Sequence, residues 1–302
     1  MTTPQRLLFV QVKKPPSVSV VFVSYNSGAV LPRAIASVPD KTQVVVVDNA
    51  SPEGTGWADG AGRPFDLVPM ARNMGFGAAC NAGARAARGD YVLFLNPDAV
   101  LEADAISALL RAVKRYGDPA IFMPAIIGEN GRPMRKEGSI LEPVPRKRRL
   151  KADEIVGDYC TRFVHGAAFL MERRAFLALG GFDEAIFLYH EDDDLALRAR
   201  GQGIPIIVVA DAKVTHAGGN SSTPSWRQTF RVNRFKKQSE RYVRAKYGAA
   251  KGTGAEVLYL AGGCVLSLLM LDIHRLMIRS GKIAGLFDVI PPTPPASSSR
   301  AP

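Results

Sequence analysis

The chain has 302 residues, 47% of them hydrophobic and 22% charged, which sets aside a disordered chain and leaves room for one large or two modest domains. Its formal net charge of +11 points to an anionic partner: nucleic acid, a nucleotide, phospholipid headgroups or a pyrophosphate lipid. Cys80, Cys160 and Cys264 are widely spaced and form no C-x-x-C pair, so they read as reduced, mostly buried thiols of a cytosolic protein. The opening stretch, MTTPQRLLFVQVKKPP, has too short an apolar run for a secretory signal and no small-residue cleavage site after it.

The β-branched run SVSVVFVSYN (17–26) predicts a buried strand of a parallel sheet, with a helix following over 29–38. QVVVVDNAS (43–51) predicts a second buried strand and DLVPM (66–70) a short third. GFGAACNAGARAARG (75–89) is an alanine-rich helical stretch closed by a glycine stop. YVLFLNPDA (91–99) predicts another buried strand, followed by an amphipathic helix over 102–116. This alternation argues for an α/β domain with a mostly parallel central sheet flanked by helices. AIFMPAIIGENGRPMRKEG (120–138) then predicts a strand and a hairpin around Asn130-Gly131. PVPRKRRLKADE (143–154) is a basic, proline-punctuated loop, and the segment 161–184 predicts a strand, a short helix and a Gly-Gly turn. IPIIVVAD (204–211) is a further buried strand, and a basic helix runs from Trp226 to Tyr247. The expected division is a main domain over 17–248, a C-terminal apolar helical segment over 249–288 and a disordered tail over 289–302.

Three predicted strands end in polar groups: Ser24-Tyr25-Asn26, Asp48-Asn49 and Asn96-Pro97-Asp98. Open α/β sheets bind ligands beyond the carboxyl ends of their strands, so all three fall on one binding edge. Gly75-Phe76-Gly77 precedes a helix, but Cys80 stands where a dinucleotide fingerprint needs its third glycine, and the segment comes late. It reads as a loop whose glycines admit a nucleotide or sugar, or as a simple tight turn. Asp98, alone past an apolar strand, is either a ligand to a divalent cation that also holds a diphosphate or part of a common N-P-D turn. Of the four histidines, His165, His190, His216 and His274, only His216 ends a strand before two glycines and a serine pair, a setting that suits a metal or phosphate ligand. FLYHEDDDLALRAR (187–200) packs Glu191, Asp192, Asp193 and Asp194 into one run, and like charges so placed raise one another's proton affinity. Asp194 and Arg198 stand four apart, the spacing of a supporting helix pair.

In this order, VSVVFVSYNSG, VVVVDNAS, RNMGFGAACNAG, YVLFLNPDA, GGFDEAIFLYHEDDDLALR and THAGGNSS resemble the inverting family 2 glycosyltransferases of the GT-A fold, in their bacterial rhamnosyltransferase-type branch, over roughly 17–248. The resemblance implies that Asp48, with Asn49 beside it, reads the nucleotide base and that Ser24, Tyr25 and Asn26 form the first nucleotide-contacting turn. It implies that Asn73, Gly75, Phe76 and Asn81 line the loop after the third strand. Asp98 matches the last acid of the family's D-x-D metal motif, with Asn96 in place of the first, and His216 matches a late metal or diphosphate ligand. Asp192 matches the general base, with Glu191 and Asp194 expected to hold its geometry. His165 and Gly166 are expected at the acceptor side with Asp194 and Arg198 in support. Asp193 departs from the pattern, where an apolar residue is usual, and is expected to face water. The implied cofactor is a divalent cation, Mg²⁺ or Mn²⁺. The implied donor is a dTDP- or UDP-linked sugar, a deoxyhexose first, with galactofuranosyl, mannosyl and N-acetylglucosaminyl transfer as alternatives. The implied acceptor is a cell-envelope glycan or a polyprenyl-diphosphate-linked sugar. A nucleotidyltransferase and an inactive sugar-nucleotide-binding protein are more distant readings.

Arg146, Lys147, Arg148, Arg149 and Lys151 are candidates to meet an anionic lipid, or form a solvated loop. No nucleic-acid-binding motif carries the basic residues. VLYLAGGCVLSLLML (257–271) is shorter than the ~20 residues of a spanning helix. It is expected to lie on a membrane surface, and a homodimer interface or the core are its other placements. Together these features imply a cytoplasmic protein, peripheral at the inner face of the cell membrane.

Overall fold

The computed structural model describes residues 15–142, 156–217 and 225–291, so the basic loop, the Gly-Gly-Asn-Ser-Ser stretch after Ala217 and the tail beyond 291 lie outside the described residues. Every residue of β1 (Val18–Ser24) is buried. Successive strand side chains point to opposite faces, and β1 feeds two cores in this way: Val20 and Phe22 enter one, Val21 and Val23 the other. β2 (Gln43–Asp48), β3 (Asp66–Pro69) and β4 (Tyr91–Leu95) join it in parallel, β2 and β4 beside β1 and β3 beyond β2. Parallel neighbours need crossovers, which α1 (Leu31–Ala36) and α2 (Phe76–Ala86) supply.

Beyond β4 the sheet departs from the mostly parallel arrangement expected. Its nine strands among the described residues run β3-β2-β1-β4-β8-β6-β9-β5, with β7 (Tyr159–Thr161) on β9. β8 (Ala168–Glu172) is antiparallel to both β4 and β6 (Ile121–Gly128). β9 (Ile206–His216) runs parallel to β6 and antiparallel to β5 (Ala99–Leu101) and β7. β9 extends past the predicted end at 211, and its last residue, His216, pairs with Ala99. The return limb after Asn130-Gly131 makes only a bridge, Ile127 to Pro133, where a full hairpin was expected.

α1 and α3 (Ala105–Tyr116) cover one face of the sheet. α2, α4 (Arg173–Ala178) and α5 (Glu191–Gly201) cover the other. On that second face Phe94 packs on Phe169 and Phe176 with ring centroids 4.8 Å apart, and Phe182 meets all three rings edge-on. α6 (Trp226–Lys246), capped by the Ser225 side chain, carries α8 (Ile273–Phe287) along its length. Gly281 and Gly285 bring α8 against the Phe230 and Arg234 carbonyls, where a Cβ would clash. α7 (Gly254–Leu269) packs on α8, with Arg279 bonding the Gly263 carbonyl and Ser267. Of the three cysteines only Cys80 is buried; Cys160 is exposed and Cys264 half-buried, since the first sits on α2 under the sheet and the others on an edge strand and an outer helix.

Candidate active site

The carboxyl ends of β1, β2 and β4 open on one side of the sheet, and most of the predicted residues gather there. At the end of β2, Asp48 is buried and its Oδ1 accepts the Ser51 N–H at 3.2 Å. Ser51 Oγ in turn accepts the Asn26 N–H at 3.0 Å, which joins the ends of β1 and β2. The Ser24 hydroxyl and the Asn26 side-chain carbonyl are buried without protein partners. Buried polar groups are normally satisfied, so these two are available to a ligand, with the half-buried Tyr25 between them.

Asn49 is bonded within the protein. Its Nδ2 donates to Asn73 Oδ1 and to the Gly75 carbonyl, both at 3.1 Å, and its Oδ1 accepts the Met74 N–H at 2.9 Å. It shapes the loop leading to α2. Asn73 Oδ1 also accepts the Gly75 N–H at 3.0 Å. Gly75 has φ +89°, and a Cβ there would run into the Phe187 carbonyl, which also accepts the Phe76 N–H at 3.1 Å. Asn81, predicted in the same loop, is tied to the protein. Its Nδ2 donates to the Phe182 carbonyl and Glu184, and its Oδ1 accepts the Phe182 N–H. It fixes the Gly-Gly-Phe-Asp turn to α2.

Asn96 and Asp98 follow β4, and the extension of β9 brings His216 to them across 118 residues of sequence. His216 Nε2 lies 3.1 Å from Asp98 Oδ1 and 3.4 Å from Asn96 Nδ2. Both Asp98 and His216 are buried, and His216 Nδ1 has no partner. Among the described residues no group of three or more His, Cys, Asp or Glu could hold a metal ion alone. A carboxylate and an imidazole fit a cation that keeps its other positions for phosphate oxygens and water.

The acidic run opens α5, where acids suit the helix dipole. Tyr189 and His190 both adopt left-handed backbone, φ 67° and 70°, a conformation that costs side-chain-bearing residues about 1–2 kcal/mol each and turns the chain sharply into the helix. The four carboxylates then face four environments. Asp194 is fully buried and bonds Arg198 Nε at 2.8 Å, Lys246 Nζ at 2.5 Å and the Tyr247 hydroxyl at 2.9 Å. The i,i+4 pair is as expected, but Asp194 holds α5 to α6 and does not touch Asp192. Arg198 also bonds the Leu179 and Gly181 carbonyls.

Asp193 does not face water. It is buried, with Lys136 Nζ 2.8 Å from Oδ1 and His190 Nδ1 3.0 Å from Oδ2. Burial opposes its charge, yet His190 and Lys136 outweigh that and hold the carboxyl below the usual range. Helix phase explains the misplacement: the turn at His190 swings position 193 back under the loop that carries Lys136. Asp192 is partly exposed; its Oδ1 accepts the Asp193 N–H at 2.9 Å and its Oδ2 the Gly166 N–H at 3.3 Å, with Lys136 Nζ at 2.6 Å from Oδ2. Glu191 is buried, its Oε2 without a partner, and burial first, with the Asp192 charge second, pushes it up to about 8. Near this helix start Phe182 is buried and Tyr189 is exposed.

One short stretch, 165–168, ties the clusters together. The Asn96 N–H donates to the Ala167 carbonyl at 2.9 Å, and Gly166 reaches Asp192. The His165 ring meets the His216 ring edge-on at 6.3 Å. Burial lowers the proton affinity of His165, the nearby Asp192 charge only partly offsetting it. Lys136 is the functional candidate that sequence reasoning missed. Burial opposes its charge, but Asp192 and Asp193 keep it a firm cation. Only the basic RPMRK stretch pointed toward it, and nothing local fixed where it lands.

The profile described as "Glycosyl transferase family 2" matches residues 19–180, and the chain belongs to that family. It is 31% identical over 240 residues to the N-acetylglucosaminyl-diphospho-decaprenol L-rhamnosyltransferase of Mycobacterium tuberculosis, covering 67% of this chain and 76% of that protein. It is 26% identical over 157 residues to the rhamnosyltransferase WbbL of Escherichia coli, covering 49% of this chain and 60% of that one. Two solved structures share the fold. The mannosyltransferase PcManGT of Pyrobaculum calidifontis, in complex with GDP-Man and Mn²⁺, aligns with TM-score 0.54 at 19% identity, over 91% of this chain and 88% of that one. GalNAc-T7 with UDP, GalNAc and Mn²⁺ aligns with TM-score 0.55 at 18% identity, over 83% and 55%. The fold is GT-A, and the protein is a glycosyltransferase.

The raised carboxyl of Glu191 makes a prediction about stability. The folded state keeps a proton that the unfolded chain releases near pH 4.5, so folding stability falls as pH climbs from about 4.5 to about 8. Glu191→Gln carries no such proton. Its stability in urea, relative to wild type, should rise by on the order of a few kcal/mol between pH 5 and pH 8. A difference that stays flat over that range contradicts the buried, partnerless carboxyl.

Proposed function

We propose that the protein is an inverting, metal-dependent hexosyltransferase of cell-envelope polysaccharide biosynthesis. It moves a deoxyhexose, rhamnose first, from a dTDP- or UDP-linked donor to a lipid-linked diphosphate or glycan acceptor. The carrying observation is that the stretch 165–168 bonds both the β4 end that bears Asp98 and the carboxylate of Asp192. A diphosphate site and a base therefore stand side by side. Asp48, Ser24, Tyr25 and Asn26 hold the nucleotide, and Asp98 and His216 hold a Mg²⁺ or Mn²⁺ ion. That cation, when bound, neutralises the charge of the departing diphosphate. Asp192 takes the acceptor hydroxyl proton. Burial keeps Glu191 protonated at neutral pH, which removes one like charge from beside the base.

The printed name of the M. tuberculosis relative supports both the deoxyhexose and a diphosphopolyprenol acceptor. The GDP-Man in the Pyrobaculum structure supports mannosyl transfer as a second reading. The outer face of α7 supports a membrane surface as partner. Leu258 is 76% exposed, Tyr259 80% and Leu269 77%, with Leu271 at 86% just beyond the helix end, large apolar side chains left bare. Lys251 and Arg275 are exposed on the same helical hairpin. No helix of the described residues is long and apolar enough to cross a membrane, so the reading is peripheral attachment, at the cytoplasmic side where nucleotide sugars are found.

Two variants test the chemistry, assayed with dTDP-rhamnose and an N-acetylglucosaminyl-diphosphopolyprenol. Asp192→Asn should lose transfer by about 10²–10⁴-fold with nucleoside-diphosphate affinity intact. Asp98→Asn should lose the Mn²⁺-dependent part of that affinity in calorimetry. Wild-type transfer by the first, or unchanged metal-dependent binding by the second, removes the corresponding role.

Flotation with phosphatidylglycerol vesicles tests the surface. Wild type should float, and Leu258→Asp combined with Leu269→Asp should stay at the bottom while still folded. A wild type that never floats, and whose dimer mass halves in the double variant, makes the face an interface between copies.

A further inference from the structure

The acidic helix start has a partner from elsewhere in the chain. Lys136 leaves the segment after β6 and places Nζ 2.6 Å from Asp192 Oδ2 and 2.8 Å from Asp193 Oδ1, with its side chain 21% exposed. Asp192 Oδ2 already accepts the Gly166 N–H, and Oδ1 accepts the Asp193 N–H. A carboxylate oxygen has two in-plane lone pairs. With Gly166 and Lys136 on Oδ2, that oxygen is full, and among the described residues the one open lone pair of the carboxylate lies on Oδ1. We propose that Lys136 is a positioning residue for the transfer reaction: it saturates one oxygen of the base and leaves Oδ1 to receive the acceptor's hydroxyl proton. This rests on the reading of Asp192 as the base.

The groups around Asp192 make the cation necessary. Glu191 and Asp193 flank it on α5, His190 stands before them against Asp193, and His165 and Gly166 face it from the loop before β8. Among these groups Lys136 is the one whose cationic nitrogen touches the Asp192 carboxylate. Its removal leaves the base beside the Asp193 carboxylate with no cation among the described residues in contact, and a carboxylate next to an unpaired like charge takes up a proton at higher pH.

The test compares wild type, Lys136→Met, Lys136→Arg and Asp192→Asn in the full chain. The probe reaction is Mn²⁺-dependent transfer from dTDP-rhamnose, or from whichever UDP- or dTDP-linked sugar the wild type turns over, with hydrolysis to water as the fallback acceptor. The acid limb of kcat/KM should move up by about 1–2 pH units in Lys136→Met. It should return to within a few tenths of a unit of wild type in Lys136→Arg. Nucleoside-diphosphate affinity should stay within about twofold in both, which also shows that they are folded. An acid limb that does not move in Lys136→Met overturns the proposal, as does a matching loss of nucleotide affinity. If Asp192→Asn transfers at the wild-type rate, the base itself is misplaced and the role of Lys136 falls with it. If Asp192→Asn is dead while the Lys136→Met limb is unchanged, only the role of Lys136 fails.

Discussion

Asp194 has no exposure at all, and a carboxylate so placed costs several kcal/mol unless every lone pair is met. Three donors meet it: Arg198 one turn along α5, and Lys246 and Tyr247 from the end of α6. Lys246 also holds Asp183, which accepts a further bond from Tyr242 and is kept below the usual carboxylate range because these donors outweigh its burial. These bonds fix where α5 begins and its phase, and that phase decides where the other three acids point. α6 is in turn buttressed by α8 through the close approach at Gly281 and Gly285. The C-terminal helices thus take part in positioning the acidic helix start.

A second constraint works from the opposite side. Gly75 lets the loop after β3 press on the Phe187 carbonyl, and Gly77 admits Phe182 and Glu191 against α2. The nucleotide end of the sheet is in this way locked to the segment that feeds the acidic helix. The stretch 165–168 closes the third side by joining Asn96 to Asp192. In each of these contacts one side is backbone, which varies less in position than long side chains do.

Much of this was legible beforehand, and the successes share a cause. Strand ends carry Asp48 and Asp98 to one edge because a parallel sheet puts all its carboxyl ends together, and the i,i+4 spacing of Asp194 and Arg198 needs only a helix. His216 was found because it ends a strand, although the reach of β9 past 211 was not foreseen. The failures also share a cause: they depend on what a side chain meets across the fold. Asn49 and Asn81 have the residue type and position of ligands, and nothing local in the sequence announces that their amides also bond the loops beside them. Asp193 looked solvated because an acid in a run usually is, and only the left-handed turn at His190 and the arrival of Lys136 bury it. The antiparallel insertion of β8 left no mark in periodicity, since a buried strand is apolar in either direction.

The proposed reaction, with Asp192 as base and the diphosphate held at Asp98, is a single displacement at the anomeric carbon in which the attacking hydroxyl enters opposite the leaving nucleotide and the configuration inverts. The most direct test is the anomeric configuration of the first-formed product, read by NMR with a nucleotide sugar of known configuration. The arrangement around Asp192 predicts the opposite configuration in the product; the same configuration would contradict it.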